Sequence, residues 1–113
     1  MVLLFNVWTN DFVLSQKFED EIRRYGDAKI ISKPELFGAE YSILLAFGGS
    51  DTRNVIALIE NLKSRAKELI DEREKATYNI SVLRFNAFKI TECYGDFNQD
   101  TKEWLMSYIN NNC

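Results

Sequence analysis

The stretch FGGSDTRN, residues 47–54, is where the residue types of this chain come nearest to a ligand-binding loop. Glycines ahead of a helix let backbone N–H groups converge on an anion, and the helix dipole adds to the attraction. Gly48, Gly49, Ser50 and Arg53 are therefore the candidate anion-binding residues. Neither phosphate-loop spacing is present: the P-loop needs GxxxxGK[ST] and the dinucleotide turn needs GxGxxG. Asp51 stands among the would-be donors and repels an anion, while Ser50, Asp51 or Thr52 suits a helix N-cap. The stretch reads first as a strand-to-helix turn and second as an anion site.

Other chemistry has less to work with. The chain has no His, which removes the commonest metal ligand and the side chain that titrates unperturbed near neutral pH. Acid and base work would fall to a carboxylate pair or a perturbed Lys, and no pair is marked by its context. Glu92, Asp96 and Asp100 do not have EF-hand spacing and read as surface carboxylates. Cys93 is expected on a strand as a core hydrophobe and Cys113 on an exposed tail without an activating base. Two cysteines without His make a poor zinc site. No catalytic residue, metal or cofactor is expected, and the chain reads as noncatalytic.

The elements that would position these residues follow from periodicity. Residues 2–8 alternate with both sets apolar apart from Asn6, the pattern of a strand buried on both sides. Asn10 or Asp11 can cap a helix with Leu14, Phe18, Ile22 and Tyr25 on its apolar side, Glu19, Asp20, Arg23 and Arg24 in water, and Gly26 at its end. A short strand over residues 28–32 stops before Pro34, which cannot donate to a ladder and suits an edge. Residues 41–47 form a third strand. A long helix follows with Val55, Ile59, Leu62, Ala66 and Leu69 at steps of four and three. Residues 78–82 alternate, and with a turn near Asn86-Ala87 and a strand through Phe88 and Ile90 they predict a β-hairpin. Asp100 and Glu103 resemble a capping box before a last helix with Trp104 and Tyr108.

The order is βαββαβ followed by βα. This predicts one α+β domain over residues 1–113: a ferredoxin-like core with an added C-terminal strand and helix, and a five-stranded, mostly antiparallel sheet. The first strand is expected at the sheet centre, both long helices on one face, and the C-terminal helix or a second copy on the other. Leu4, Phe18, Ile22, Ile43, Leu45, Ile59, Leu62 and Ile80 are the expected core.

At 113 residues and 46% hydrophobic content the chain can bury one core. Its net charge of −3 is spread evenly along the chain, unlike the basic face of a nucleic-acid module. Strand YSILLAF also lacks the basic residue and glycines of the RNA-binding version of this topology. The apolar start MVLLFNVW is too short to span a bilayer and lacks a basic leader. A cytoplasmic protein with free thiols is expected, without membrane or nucleic-acid partners.

The loop KPELFGAE carries Leu36 and Phe37 beside the expected edge strand. They are the candidate protein-binding residues, since edge backbone groups accept another chain; the alternative is that Phe37 folds under the sheet as a plug. The string ILLAFGGSDTRNVIALIENL, the hairpin YNISVLRFNAFKI and a short terminal helix together resemble the effector-associated constant component of bacterial conflict systems. The resemblance implies a noncatalytic adaptor between an effector and its regulatory partner, and carries over no site residues. An immunity protein that blocks a basic toxin by charge complementarity and a sensor of a small anionic ligand are the alternatives.

Overall fold

The computed structural model describes residues 1–32, 40–48, 51–90 and 99–112. Its elements run β1 (Val2–Thr9), α1 (Phe12–Arg23), β2 (Asp27–Ser32), β3 (Glu40–Ala46), α2 (Thr52–Thr77), β4 (Leu83–Ile90) and α3 (Gln99–Asn112). The fold is α+β, with an open antiparallel sheet in the order β2-β3-β1-β4. β1 pairs along its length with β3, from Val2↔Ala46 to Trp8↔Glu40, and with β4, from Val2↔Ile90 to Thr9↔Leu83. An interior strand is covered on both faces, and the doubly apolar pattern of β1 meets that demand.

Side-chain parity divides the two faces. Leu3, Phe5 and Val7 of β1 and Tyr41, Ile43 and Leu45 of β3 point to the first face and are buried there with Leu14, Phe18 and Ile22 of α1 and Leu58, Leu62, Ala66 and Leu69 of α2. Phe85 of β4 closes this core, its ring 5.0 Å from that of Phe18. Val2, Leu44 and Ala46 point the other way and are buried with Leu105 of α3, with Leu4, Ile31, Trp104 and Tyr108 packed around them. Among the described residues, the C-terminal helix is thus what packs on the second face, against Val2, Leu44 and Ala46.

α1 ends where the chain has to pass β3 closely. A Cβ on Gly26 would lie 2.1 Å from the Ala46 carbonyl oxygen, so no other residue fits without moving the strand. Tyr25, expected on the apolar side of α1, lies beyond its last turn and is exposed. Glu19, expected in water, is buried. It sits one turn from Ser15 and faces the first-face core, with the Ser15 hydroxyl donating to it at 3.3 Å.

The sheet has four strands among the described residues where five were expected. The difference lies in residues 78–82, which form no strand. Asn86 and Ala87 make no turn; they pair with Asn6 and Phe5 in mid-strand. Asn-Ala is weaker turn chemistry than Asn-Gly, and the long central strand offers a full row of partners, so residues 83–90 stay extended. Ile80, placed in the core by alternation, is 81% exposed. On α2 the buried stripe runs through Leu58 with Ile59 at its flank. Both residues lie within a turn of Leu62, and periodicity alone does not separate them.

Candidate functional site

β1 hands over to α1 through three polar residues, and each is engaged. The Thr9 hydroxyl donates to the Val82 carbonyl at 2.6 Å and accepts from the Asp11 amide at 3.2 Å. Asn10 works as a clip: its Nδ2 donates to the Ile80 carbonyl at 3.0 Å, and its Oδ1 accepts from the Val82 amide at 2.8 Å. Asp11 is the N-cap of α1, its Oδ1 accepting from the Val13 and Leu14 amides at 2.9 and 3.3 Å. Its second oxygen accepts from Arg73 Nε at 2.7 Å and from the Ser81 hydroxyl at 3.2 Å. One carboxylate therefore joins the start of α1, the late turns of α2 and the connection into β4.

Electrostatics follow from that geometry. Burial by itself pushes the Asp11 carboxyl up, but the Arg73 side chain and the Leu14 and Val13 amides outweigh it and hold the group below its ordinary value. Charge-assisted bonds of this kind are the stronger ones.

The connection held in this way, residues 78–82, is fixed along its backbone while the Tyr78 and Ile80 side chains face water. Tyr78 is 95% exposed and closes α2 in the left-handed conformation, with φ 59° and its amide bonded to the Glu74 carbonyl at 2.8 Å. For a residue with a Cβ that conformation costs about 1 kcal/mol or more, which glycine would avoid. The Thr77 hydroxyl and the Glu74 carboxylate add bonds to Asn79 and Ser81. Phe12 and Val13, the first residues of α1, are also exposed at this end.

The glycine turn is arranged differently. Gly48 is exposed, with open space where a Cβ would be; Gly49 and Ser50 lie outside the described residues. Asp51 is the N-cap of α2 and accepts from the Arg53 amide at 2.9 Å, while the Arg53 guanidinium turns back onto the same carboxylate at 3.2 Å. The Arg53 amide, then its side chain, hold Asp51 below the usual carboxylate value. Of the four candidate anion-binding residues, the cation is thus spent on a neighbouring carboxylate.

A buried polar cluster lies beneath the first face. The Ser15 and Tyr41 hydroxyls are 2.8 Å apart, with Glu19 bonded to Ser15. Burial, with the Glu19 carboxylate nearby and against the Ser15 bond, pushes Tyr41 up to about 12. Leu36, Phe37, Cys93 and Cys113 lie outside the described residues. Among the described residues, no group of three or more His, Cys, Asp or Glu is placed to hold a metal ion, and no helix is long and apolar enough to cross a membrane.

Sequence reading missed Tyr78 and Ile80 as surface residues because alternation over residues 78–82 resembles a strand. The signal was the polar run Thr9-Asn10-Asp11, whose side chains exceed what one helix cap needs. No family model matches the chain, and no curated protein or solved structure matches it.

Proposed function

We propose that the chain is a noncatalytic protein-interaction module, and that Tyr78 and Ile80 form its contact with another protein. The observation that carries the reading is Tyr78: an aromatic side chain almost wholly in water, at a position where backbone strain favours glycine, on a connection tied down by the Thr9-Asn10-Asp11 clamp. Strain kept at an exposed site is a pointer to function. A rigid aromatic anchor also loses little entropy on binding.

The finer reading of the fold belongs with this proposal. In the strand order β2-β3-β1-β4, β3 lies between β1 and β2 and antiparallel to both, which supports a ferredoxin-like βαββαβ core followed by α3. The role that the resemblance implies, an adaptor beside an effector of a bacterial conflict system, fits a module that offers a contact and no reactive group. Its partner is then a protein encoded alongside it, or a second copy.

Replacing Tyr78 by Gly tests the reading because it relieves the backbone and removes the anchor. The variant should melt no lower than the parent, yet lose association with the products of adjacent genes in a pull-down, or lose self-association in sedimentation. Unchanged association in both measurements, for this variant and for Ile80→Ser, would sink the proposal.

A further inference from the structure

Among the described residues the sheet ends on β2 at one side and on β4 at the other, and the two edges are built differently. β2 loses register between Ile30 and Ser32, and an irregular edge of that kind resists addition of another strand. β4 has no such break: it pairs residue for residue with β1 over its whole length. Among the described residues nothing pairs with its outer side, and no backbone bond beyond the ladder involves it. Arg84, Asn86 and Phe88 are exposed, Phe88 by 49%.

The ladder decides which backbone groups look outward. Met1 and Phe47 exchange both of their bonds, nitrogen to carbonyl, at 3.2 and 3.0 Å, and they continue the β1–β3 register. Successive residues of a strand aim their N–H and C=O groups to opposite sides, so the odd residues of β1 bond to β3 and the even ones to β4. The partners of those even residues are Arg84, Asn86, Phe88 and Ile90. Leu83, Phe85, Ala87 and Lys89 therefore direct their amides and carbonyls away from β1.

A second copy of β4 is complementary to this edge. Opposite residues of an antiparallel pair share a face, so a two-fold axis that keeps the helices of both copies on one side pairs residues of like parity. Centred on Asn86, that axis sets Phe85 opposite Ala87 and Arg84 opposite Phe88, each twice. A large ring then meets a small side chain on the first face, where Phe85 and Ala87 are both partly buried. On the second face the Arg84 guanidinium lies over Trp8, and the flank of its stem turned away from β1 is what the exposed Phe88 ring of the other copy covers. The outward backbone groups of Leu83, Phe85, Ala87 and Lys89 fall opposite one another in the same register. Shifting the axis to Phe85 or to Ala87 loses the Arg84–Phe88 pair.

We infer that the chain self-associates through β4, the β4 strands of two copies running antiparallel about Asn86 and joining two four-stranded sheets into one. This surface is separate from the Tyr78 contact and stands whether or not that contact does.

The experiment is sedimentation velocity of the full chain over a range of concentrations, with oxidative cross-linking of single-cysteine variants in a background where Cys93 and Cys113 are replaced by Ser. The parent should show a monomer–dimer equilibrium. Ala87→Pro removes an outward amide and none that bonds to β1, and should weaken dimerisation about ten-fold or more. Phe88→Lys leaves the backbone alone and sets a like charge beside Arg84, and should do the same, whereas Phe88→Glu should retain the dimer. Asn86→Cys should form a disulfide-linked dimer, since opposite residues of a non-hydrogen-bonded pair stand within disulfide reach, and Arg84→Cys should not. A monomer at every concentration would overturn the inference, as would a dimer that survives both Ala87→Pro and Phe88→Lys. So would a dimer lost in Ile80→Ser but kept in those two variants, since that result puts the meeting of the copies at the Tyr78 connection. Cross-linking of Arg84→Cys in preference to Asn86→Cys would overturn the register.

Discussion

Two aspartates cap the first two helices, and they have very different jobs. Asp11 and Asp51 both follow a strand, both accept a backbone amide of the helix they open, and both pair with an arginine. Asp11 draws Arg73 from 62 residues away and the Ser81 hydroxyl from 70; Asp51 draws Arg53, two residues on. The Asp11 side chain is 15% exposed against 46% for Asp51. A cap at the surface satisfies one helix end, whereas a cap in a crevice becomes a joint between elements. Residue type and position set the first property, and the fold sets the second.

The largest expected effect follows directly. Asp11→Ala removes a cap, a charge-assisted bond to Arg73 and the tie to Ser81, and should cost about 3 kcal/mol in urea unfolding. Asp51→Ala should shift the same curve by only a fraction of that, since its arginine partner stays solvated. Equal losses would mean that the crevice adds nothing to the cap.

A double-mutant cycle sharpens the contrast. Coupling between Asp11 and Arg73 should reach about 1 to 3 kcal/mol, while the Asp51 and Arg53 cycle should close within error. A cycle for Asp11 and Arg73 that also closes would show the bond to be geometric only.

How far this was legible depends on sequence distance. Caps, apolar stripes and the interior position of β1 depend on spacings of a few residues, and Asp11, Asp51, Leu14, Phe18, Ile22 and Leu62 fall where the pattern places them. Arg73 reads as one more member of the charge run KELIDEREK. Its partner becomes apparent only when α2 lies against the start of α1. Residues 78–82 misled for the opposite reason: their alternation matches a strand, but the ladder on that side of β1 is already filled by residues 83–90, and Asn10 takes up the Ile80 carbonyl and the Val82 amide. The contact of Arg84 with the Trp8 ring was hidden too, because the two meet across strands far apart in sequence.

The pH profile separates the joint from the buried cluster. The folded value of Asp11 is lowered, so its contribution is complete above the ordinary aspartate value of 3.8 and is lost as pH falls through the lower folded value. Asp11→Asn should flatten that acid limb. Tyr41 is raised from 10.0 to about 12, so its contribution is complete below pH 10.0 and disappears as pH rises toward about 12. Tyr41→Phe should flatten the alkaline limb and leave the acid limb alone. An acid limb unchanged in Asp11→Asn would place the titrating group elsewhere.

The smallest effect is expected at the residue the joint displays. Ile80 is 81% exposed, and the connection it sits on is held by its backbone: its own carbonyl accepts from Asn10, and the next two amides donate to Glu74 and Asn10. Those bonds do not involve the Ile80 side chain. Ile80→Ser should therefore change unfolding free energy by no more than about 0.5 kcal/mol, whereas Asn10→Ala, which removes both clip bonds and leaves the Ile80 side chain in place, should cost about 1 to 2 kcal/mol. The order of the two decides what fixes the connection. If Ile80→Ser proves the more destabilising, the side chain is buried in solution and the clamp does not set the conformation of residues 78–82. If Asn10→Ala does, the backbone is held from the β1 end and the apolar side chains are left for a partner.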